Sequence, residues 1–221
     1  MPSDNDRMEI QIWTDVVCPW CYLGKRRFDH ALAGFDHRDQ VQVTHRAFQL
    51  DPTAPKDQTF DQVELLTQKY GMPKEQFQTQ HAELTRMGRI EGLEYNFEGG
   101  RAGNTFDAHR LIRLGLERDR QDAVLERFFR AHFTEQRSVF EADSLVELAA
   151  EAGLDPDEAR NVLTEEKYTA EITADVAQAQ AYGANGVPFF VVDQRYGISG
   201  AQPEAAFAGA LTRAWADHVA Q

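Results

Sequence analysis

Cysteine is scarce in this chain of 221 residues: there are two, Cys18 and Cys21. A pair so close together closes too short a loop to constrain the unfolded chain much. A protein of this length buries roughly 70% of the surface its unfolded chain exposes and needs no such staple. A disulfide framework is therefore excluded as the basis of the fold. Long apolar runs are missing as well, since no stretch approaches the ~18 residues needed to cross a bilayer. Residues 1–7 are polar and acidic, without the apolar core of a secretory leader. Positive charge is in deficit: 23 Lys and Arg against 36 Asp and Glu give a formal net charge of −13. Such a surface repels nucleic acid and anionic membrane, so neither is expected as a partner. The sequence also lacks basic runs, internal repeats and low-complexity segments. The expectation is a soluble, cytoplasmic protein, its oligomeric state open. In that reducing compartment a close cysteine pair is catalytic, redox-sensing or metal-binding more often than structural.

What is present is a globular composition, 42% hydrophobic and 27% charged. Ile10 and Ile12 alternate with Gln11 as in a strand. Residues 15–18 form a turn, and Pro19 suits the first turn of a helix whose face continues through Phe28, Leu32 and Phe35. Val41, Val43, His45 and Ala47 alternate as a second strand, with His45 and Arg46 expected at the surface. The three elements make a βαβ unit, most naturally parallel. Pro52 and Pro55 mark a linker, and helical spacing then dominates. Apolar stripes include Val63, Leu66 and Tyr70, then Phe77, His81 and Leu84, then Leu125, Phe128, Phe129 and His132. Ser144 with Glu147 reads as a capping box, and Asp155-Pro156 as a helix start. A long helix is expected over 165–182, a buried strand over 187–192, a hairpin partner at Tyr196–Ser199 and a last helix opened by Pro203. The fold expected is α/β, a βαβ…ββα frame of residues 1–55 and 166–221 carrying an inserted all-helical domain of residues 56–165.

The chemistry lies in Cys18-Pro19-Trp20-Cys21, placed where a strand ends and a helix begins. The unpaired amides of a helix's first turn and its dipole favour negative charge at that point. A thiolate there is stabilised and leaves readily from a disulfide. Cys21, one turn on, is close enough to attack a mixed disulfide formed by Cys18. Pro19 keeps the turn rigid without wasting a donor. A zinc site would need two more ligands, and the spacing to His30 and His37 misses the usual pattern, so no metal is expected. Two inert core cysteines are the blander alternative, against which the strand-to-helix placement tells. Pro188, in Gly186-Val187-Pro188-Phe189-Phe190, reads by itself as an ordinary trans proline opening a strand.

Five spaced strings resemble the DsbA-type thioredoxin fold, and within it the FrnE-like cytoplasmic branch. They are Asp15-Val16-Val17-Cys18-Pro19-Trp20-Cys21-Tyr22-Leu23-Gly24, Phe48-Gln49-Leu50-Asp51-Pro52, Asn104-Thr105-Phe106-Asp107-Ala108-His109-Arg110-Leu111, Gly186-Val187-Pro188-Phe189-Phe190-Val191 and Ile198-Ser199-Gly200-Ala201-Gln202-Pro203. The resemblance covers nearly the whole chain. It implies a cis Val187–Pro188 bond facing the cysteines, and a Val187 backbone that pairs with an extended substrate segment. Trp20 and Phe189 would add apolar contact. Asp15 is a candidate to accept or relay the Cys21 proton, or else an acid solvated in its turn. Asn104 and His109 are candidates to approach the cysteines from the insertion, or else a helix cap and a packed or surface histidine.

The function implied is thiol–disulfide oxidoreductase, or isomerase, acting on protein or small-molecule thiols and disulfides. The redox-active cysteines would serve in place of a cofactor, with glutathione a candidate co-substrate. Three departures matter. Trp20 stands where strongly oxidising periplasmic members have His, Ile12 stands where they carry a buried acid, and no further cysteine pair exists. Two rivals are a glutathione-dependent isomerase or transferase resembling hydroxychromene-carboxylate isomerase, and a chaperone-like binding protein. The former class typically has serine where Cys18 stands.

Overall fold

A computed structural model describes residues 7–71 and 73–220, the side chain of Tyr70 excepted. Residues 1–6, on which the expectation about a leader rests, and the Tyr70 side chain lie outside the described residues. The chain opens with β1 (Met8–Thr14), α1 (Pro19–Ala33) and β2 (Val41–Ala47). It closes with α8 (Thr169–Ala181), β5 (Phe189–Val192), β6 (Tyr196–Ser199) and α9 (Glu204–His218). These strands form one sheet in the order β2-β1-β5-β6. β1 and β2 run parallel, and β1–β5 and β5–β6 antiparallel.

Alternation along the strands sends side chains to opposite faces. Ile10, Ile12, Phe190 and Val192 meet Phe28 of α1 and Phe207 and Leu211 of α9 on one face. Trp13, Phe189 and Val191 gather on the other with Ala179 of α8. Burying each such large apolar side chain stabilises by about 1.5–3 kcal/mol.

Between β2 and α8 come β3 (Thr59–Asp61), α2 (Gln62–Tyr70), α3 (Lys74–Ile90), β4 (Arg101–Gly103), α4 (Phe106–Glu117), α5 (Gln121–Phe133), α6 (Ala142–Glu151) and α7 (Pro156–Thr164). The expected stripe of Leu125, Phe128 and Phe129 on α5 is buried here, with Leu111 of α4 and Leu145 and Leu148 of α6. Cys18, Cys21, Tyr22 and Leu23 belong to this same cluster. The cysteine turn is thus packed into the helical core, at its seam with the sheet.

Several expectations are corrected. The inserted segment is not purely helical, because β3 and β4 pair antiparallel as a two-stranded ribbon. Ser144 caps nothing: α6 begins at Ala142, and the Ser144 hydroxyl donates to the Ser138 carbonyl. The helix expected over 165–182 starts at Thr169, since Glu166 and Tyr168 take left-handed backbone angles. The buried strand starts at Phe189, because Pro188 has no N–H for the ladder. His45 is buried rather than exposed: its N–H donates to the Gln121 Oε1 (2.9 Å) and its carbonyl accepts from the Gln121 Nε2 (2.8 Å). As read from sequence, Asp155 caps α7 by accepting from the N–H groups of Asp157 and Glu158.

Candidate active site

Cys18 is the N-cap of α1, in extended backbone conformation, with Pro19 in the first turn. The turn is closed by the Cys18 N–H donating to the Asp15 carbonyl (3.0 Å) and the Cys21 N–H to the Cys18 carbonyl (3.0 Å). Both cysteines are free thiols and both are buried. The Cys18 thiol donates to the Val187 carbonyl at 3.5 Å, so the loop before β5 lies directly against the helix start. Burial and the neighbouring Cys18 push the Cys21 thiol well above the ordinary thiol range, against weaker hydrogen bonds from the Thr14 side chain and the Asp15 backbone. The inner sulfur therefore holds its proton until a base removes it.

The Val187–Pro188 peptide is cis, and Pro188 is buried. Gly24 makes room for it: a Cβ there would fall 2.9 Å from Pro188 Cγ. The N–H of Gly200 donates to the Pro188 carbonyl (2.8 Å), fixing the loop to the end of β6. The Tyr95 hydroxyl donates to the Pro19 carbonyl (2.7 Å). Trp20 is 42% exposed and flanks the cysteine turn.

A cavity of about 360 Å³ opens beside Cys18. Asp15, Trp20, Leu50, Leu66, Phe77 and Val187 line it. His81, also on its wall, stacks on Phe97 with ring centroids 4.0 Å apart. Lys69 pairs with Asp51 at 2.8 Å. A second, more open hollow of about 710 Å³ lies along β2, bounded by Val43, His45 and Gln121, but neither cysteine lines it.

The structure brings Asp15, Cys18, Pro19, Trp20, Cys21, Val187 and Pro188 together. Asp15 is not a solvated turn acid: it is 1% exposed, and its Oδ2 accepts from the Leu50 N–H (2.8 Å). His109, on α4 and 2% exposed, reaches it, with Nε2 3.4 Å from the Asp15 Oδ1. Two candidates stand apart. Phe189 packs into the sheet's far face against Trp13, ring centroids 6.3 Å apart. Asn104 ties the start of α4 to the segment after β2: its Oδ1 accepts from the Phe106 N–H (2.9 Å) and its Nδ2 donates to the Ala54 carbonyl (2.7 Å). Sequence reasoning missed Tyr95, Leu66 and Lys69. They come from the inserted segment, and no local pattern marks which of its residues will face the cysteines. Among the described residues, no group of three or more His, Cys, Asp or Glu is arranged to hold a metal.

The sequence matches the DSBA-like thioredoxin domain over residues 9–212. The chain belongs to that family. It is similar to the probable DsbA oxidoreductase SCO1869 of Streptomyces coelicolor, with 49% identity, 95% of this chain and 91% of that one covered, and a TM-score of 0.91. The cytosolic disulfide reductase DsbM of Pseudomonas aeruginosa, in its structure with GSH, shares the fold at 20% identity, with coverage of 93% and 98% and a TM-score of 0.66. A 2-hydroxychromene-2-carboxylate isomerase shares it at 16% identity, with coverage of 93% and 95% and a TM-score of 0.68. The α/β frame with inserted helices is thus a DsbA-like thioredoxin fold, in a family of thiol–disulfide oxidoreductases.

Proposed function

We propose that the protein exchanges disulfides through Cys18 and Cys21, in the manner of the FrnE-like cytoplasmic branch. One observation carries this: a thiol at a helix N-terminus lies 3.5 Å from the Val187 carbonyl, with a second thiol buried one turn behind it. Cys18 as thiolate attacks a substrate disulfide; a Cys18–substrate bond forms, and the first substrate sulfur leaves with the electron pair. Cys21 then attacks Cys18, the Cys18–Cys21 bond forms, and the second sulfur leaves. Two electrons pass from the protein dithiol to the substrate, and the reverse sequence oxidises a substrate dithiol. The Val187 backbone and exposed Trp20 hold an extended segment beside Cys18.

Substrates are protein or low-molecular-weight disulfides. Glutathione, the thiol bound in the DsbM structure, is the proposed co-substrate that resets the pair. In this reading residues 1–55 and 166–221 carry the chemistry, and residues 56–165 wall the cavity and restrict access to it.

The test is glutathione-driven reduction of a disulfide-bonded protein. Cys18→Ser is expected to lower the rate by about 1,000-fold or more. Cys21→Ala is expected to trap Cys18 as a mixed disulfide. Wild-type turnover by Cys18→Ser would overturn the proposal. The shared fold of the 2-hydroxychromene-2-carboxylate isomerase supports a second reading, glutathione-dependent isomerisation. That activity would survive Cys21→Ala, whereas the proposed exchange would not.

A further inference from the structure

Tyr95 reaches the stretch between the two cysteines from the inserted segment. Its ring is buried, stacked on Phe97 with centroids 5.2 Å apart and edge-on to Tyr22 at 5.9 Å. Gly88 of α3 leaves the space for it, since a Cβ there would fall 2.5 Å from the Tyr95 Cδ2. Held in this way, the hydroxyl donates to the Pro19 carbonyl (2.7 Å), and the Leu23 backbone N–H approaches the same hydroxyl. Burial, then the nearness of Cys18, keeps the phenol proton on well above the ordinary tyrosine range. The Pro19 carbonyl lies in the first turn of α1 and has a donor within its own helix, four residues on. Tyr95 is therefore not needed to satisfy it. The other phenol beside the turn, Tyr22, is engaged elsewhere and donates to Glu126 (3.1 Å).

The peptide group that Tyr95 grips ends in the Trp20 N–H. With Cys18 as N-cap, Trp20 and Cys21 supply the second and third amides of the helix, the ones from which an N-cap side chain accepts. The Cys21 N–H is already engaged by the Cys18 carbonyl (3.0 Å), and as a thiol the Cys18 side chain caps neither amide. A hydrogen bond to a peptide oxygen polarises the group and strengthens its N–H as a donor by about 10–30%. We propose that Tyr95 tunes the redox poise of the cysteine pair: by donating to the Pro19 carbonyl it strengthens the Trp20 amide toward a Cys18 thiolate. The inference rests on the disulfide-exchange reading and names a residue of the inserted segment that sets how oxidising the pair is. Tyr95 is a positioning residue, acting through the Pro19–Trp20 peptide. Only the reduced pair carries the thiolate, so the hydrogen bond favours the dithiol over the disulfide and makes the pair the stronger oxidant.

Two variants of the full chain test this. Tyr95→Phe keeps the ring and removes the donor. Incorporation of 3-fluorotyrosine at position 95 keeps the hydroxyl and makes it a stronger donor. The first readout is the ultraviolet absorbance of the thiolate against pH; because Cys21 holds its proton to high pH, the first step reports Cys18. The second is the equilibrium of the pair with reduced and oxidised glutathione. In Tyr95→Phe the thiolate population below the midpoint is expected to fall about threefold, and the glutathione equilibrium to move about threefold toward the Cys18–Cys21 disulfide. Fluorotyrosine should move both quantities the other way. A merely structural contact would leave them unchanged in the fluorotyrosine protein, which also decides the matter if Tyr95→Phe does not fold. Values equal to wild type in the fluorotyrosine protein, or shifts of the same sign in both variants, overturn the inference. A wild-type protein that forms no Cys18–Cys21 disulfide at any glutathione ratio overturns the exchange reading instead, and the thiolate titration then judges Tyr95 alone.

Discussion

Single buried side chains set how this protein responds to pH. Burial pushes the His132 imidazole down to about 4, only partly offset by the negative charge of Asp15. In the unfolded chain a histidine titrates near 6.5. Between those values the unfolded chain binds a proton that the folded one refuses, so stability rises with pH across the window. On acidification from about 6.5 to about 4, the protein should lose up to ~1.4 kcal/mol per pH unit from this group. Urea melts across that range test it, with His132→Gln as the comparison. The variant should show a flatter profile; an equal slope would reject the role of His132. The cysteine spacing was legible in sequence because that chemistry is local. The burial of Asp15 was not, because it depends on His109 and Leu50, which the fold brings from other elements.

Among the elements, β2 carries the problem of a sheet edge. It is last in the order β2-β1-β5-β6, and its outer backbone groups have no strand to pair with. Side chains take that place. Gln121, at the start of α5, makes both hydrogen bonds to His45, and the Asp175 Oδ2 accepts from the Ala47 N–H (3.1 Å). Gln121→Ala leaves a buried donor and a buried acceptor unmet, so it should cost about 2 kcal/mol or more. It should also speed hydrogen exchange at the His45 amide. A loss below about 0.5 kcal/mol in denaturant melts would contradict this account. The long helices were legible because their stripes repeat over several turns. The β3–β4 ribbon was not, since three-residue strands are too short to show alternation. The Gln121 clamp was equally hidden: a glutamine at a helix start carries no sign of the strand it will cover.

Across the whole molecule, two architectural facts converge on the cysteines. The α/β frame supplies the strand-to-helix turn and the Val187–Pro188 loop. The inserted helices supply the core in which Cys18 and Cys21 are buried, and part of the lining of a cavity of about 360 Å³. The sequence pattern identified the frame and the motif, whose residues lie close along the chain or in recognisable strings. The cavity needed the structure, because its wall is assembled from helices whose docking no local periodicity specifies.

The central claim is that Cys18 and Cys21 form one two-electron couple. Equilibrating the protein in buffers of graded reduced and oxidised glutathione, then alkylating free thiols and weighing the products, tests it most directly. The account predicts a single transition from the doubly alkylated dithiol to an unalkylated Cys18–Cys21 disulfide. Accumulation of a stable glutathione adduct on Cys18, with Cys21 still free at every ratio, would contradict it.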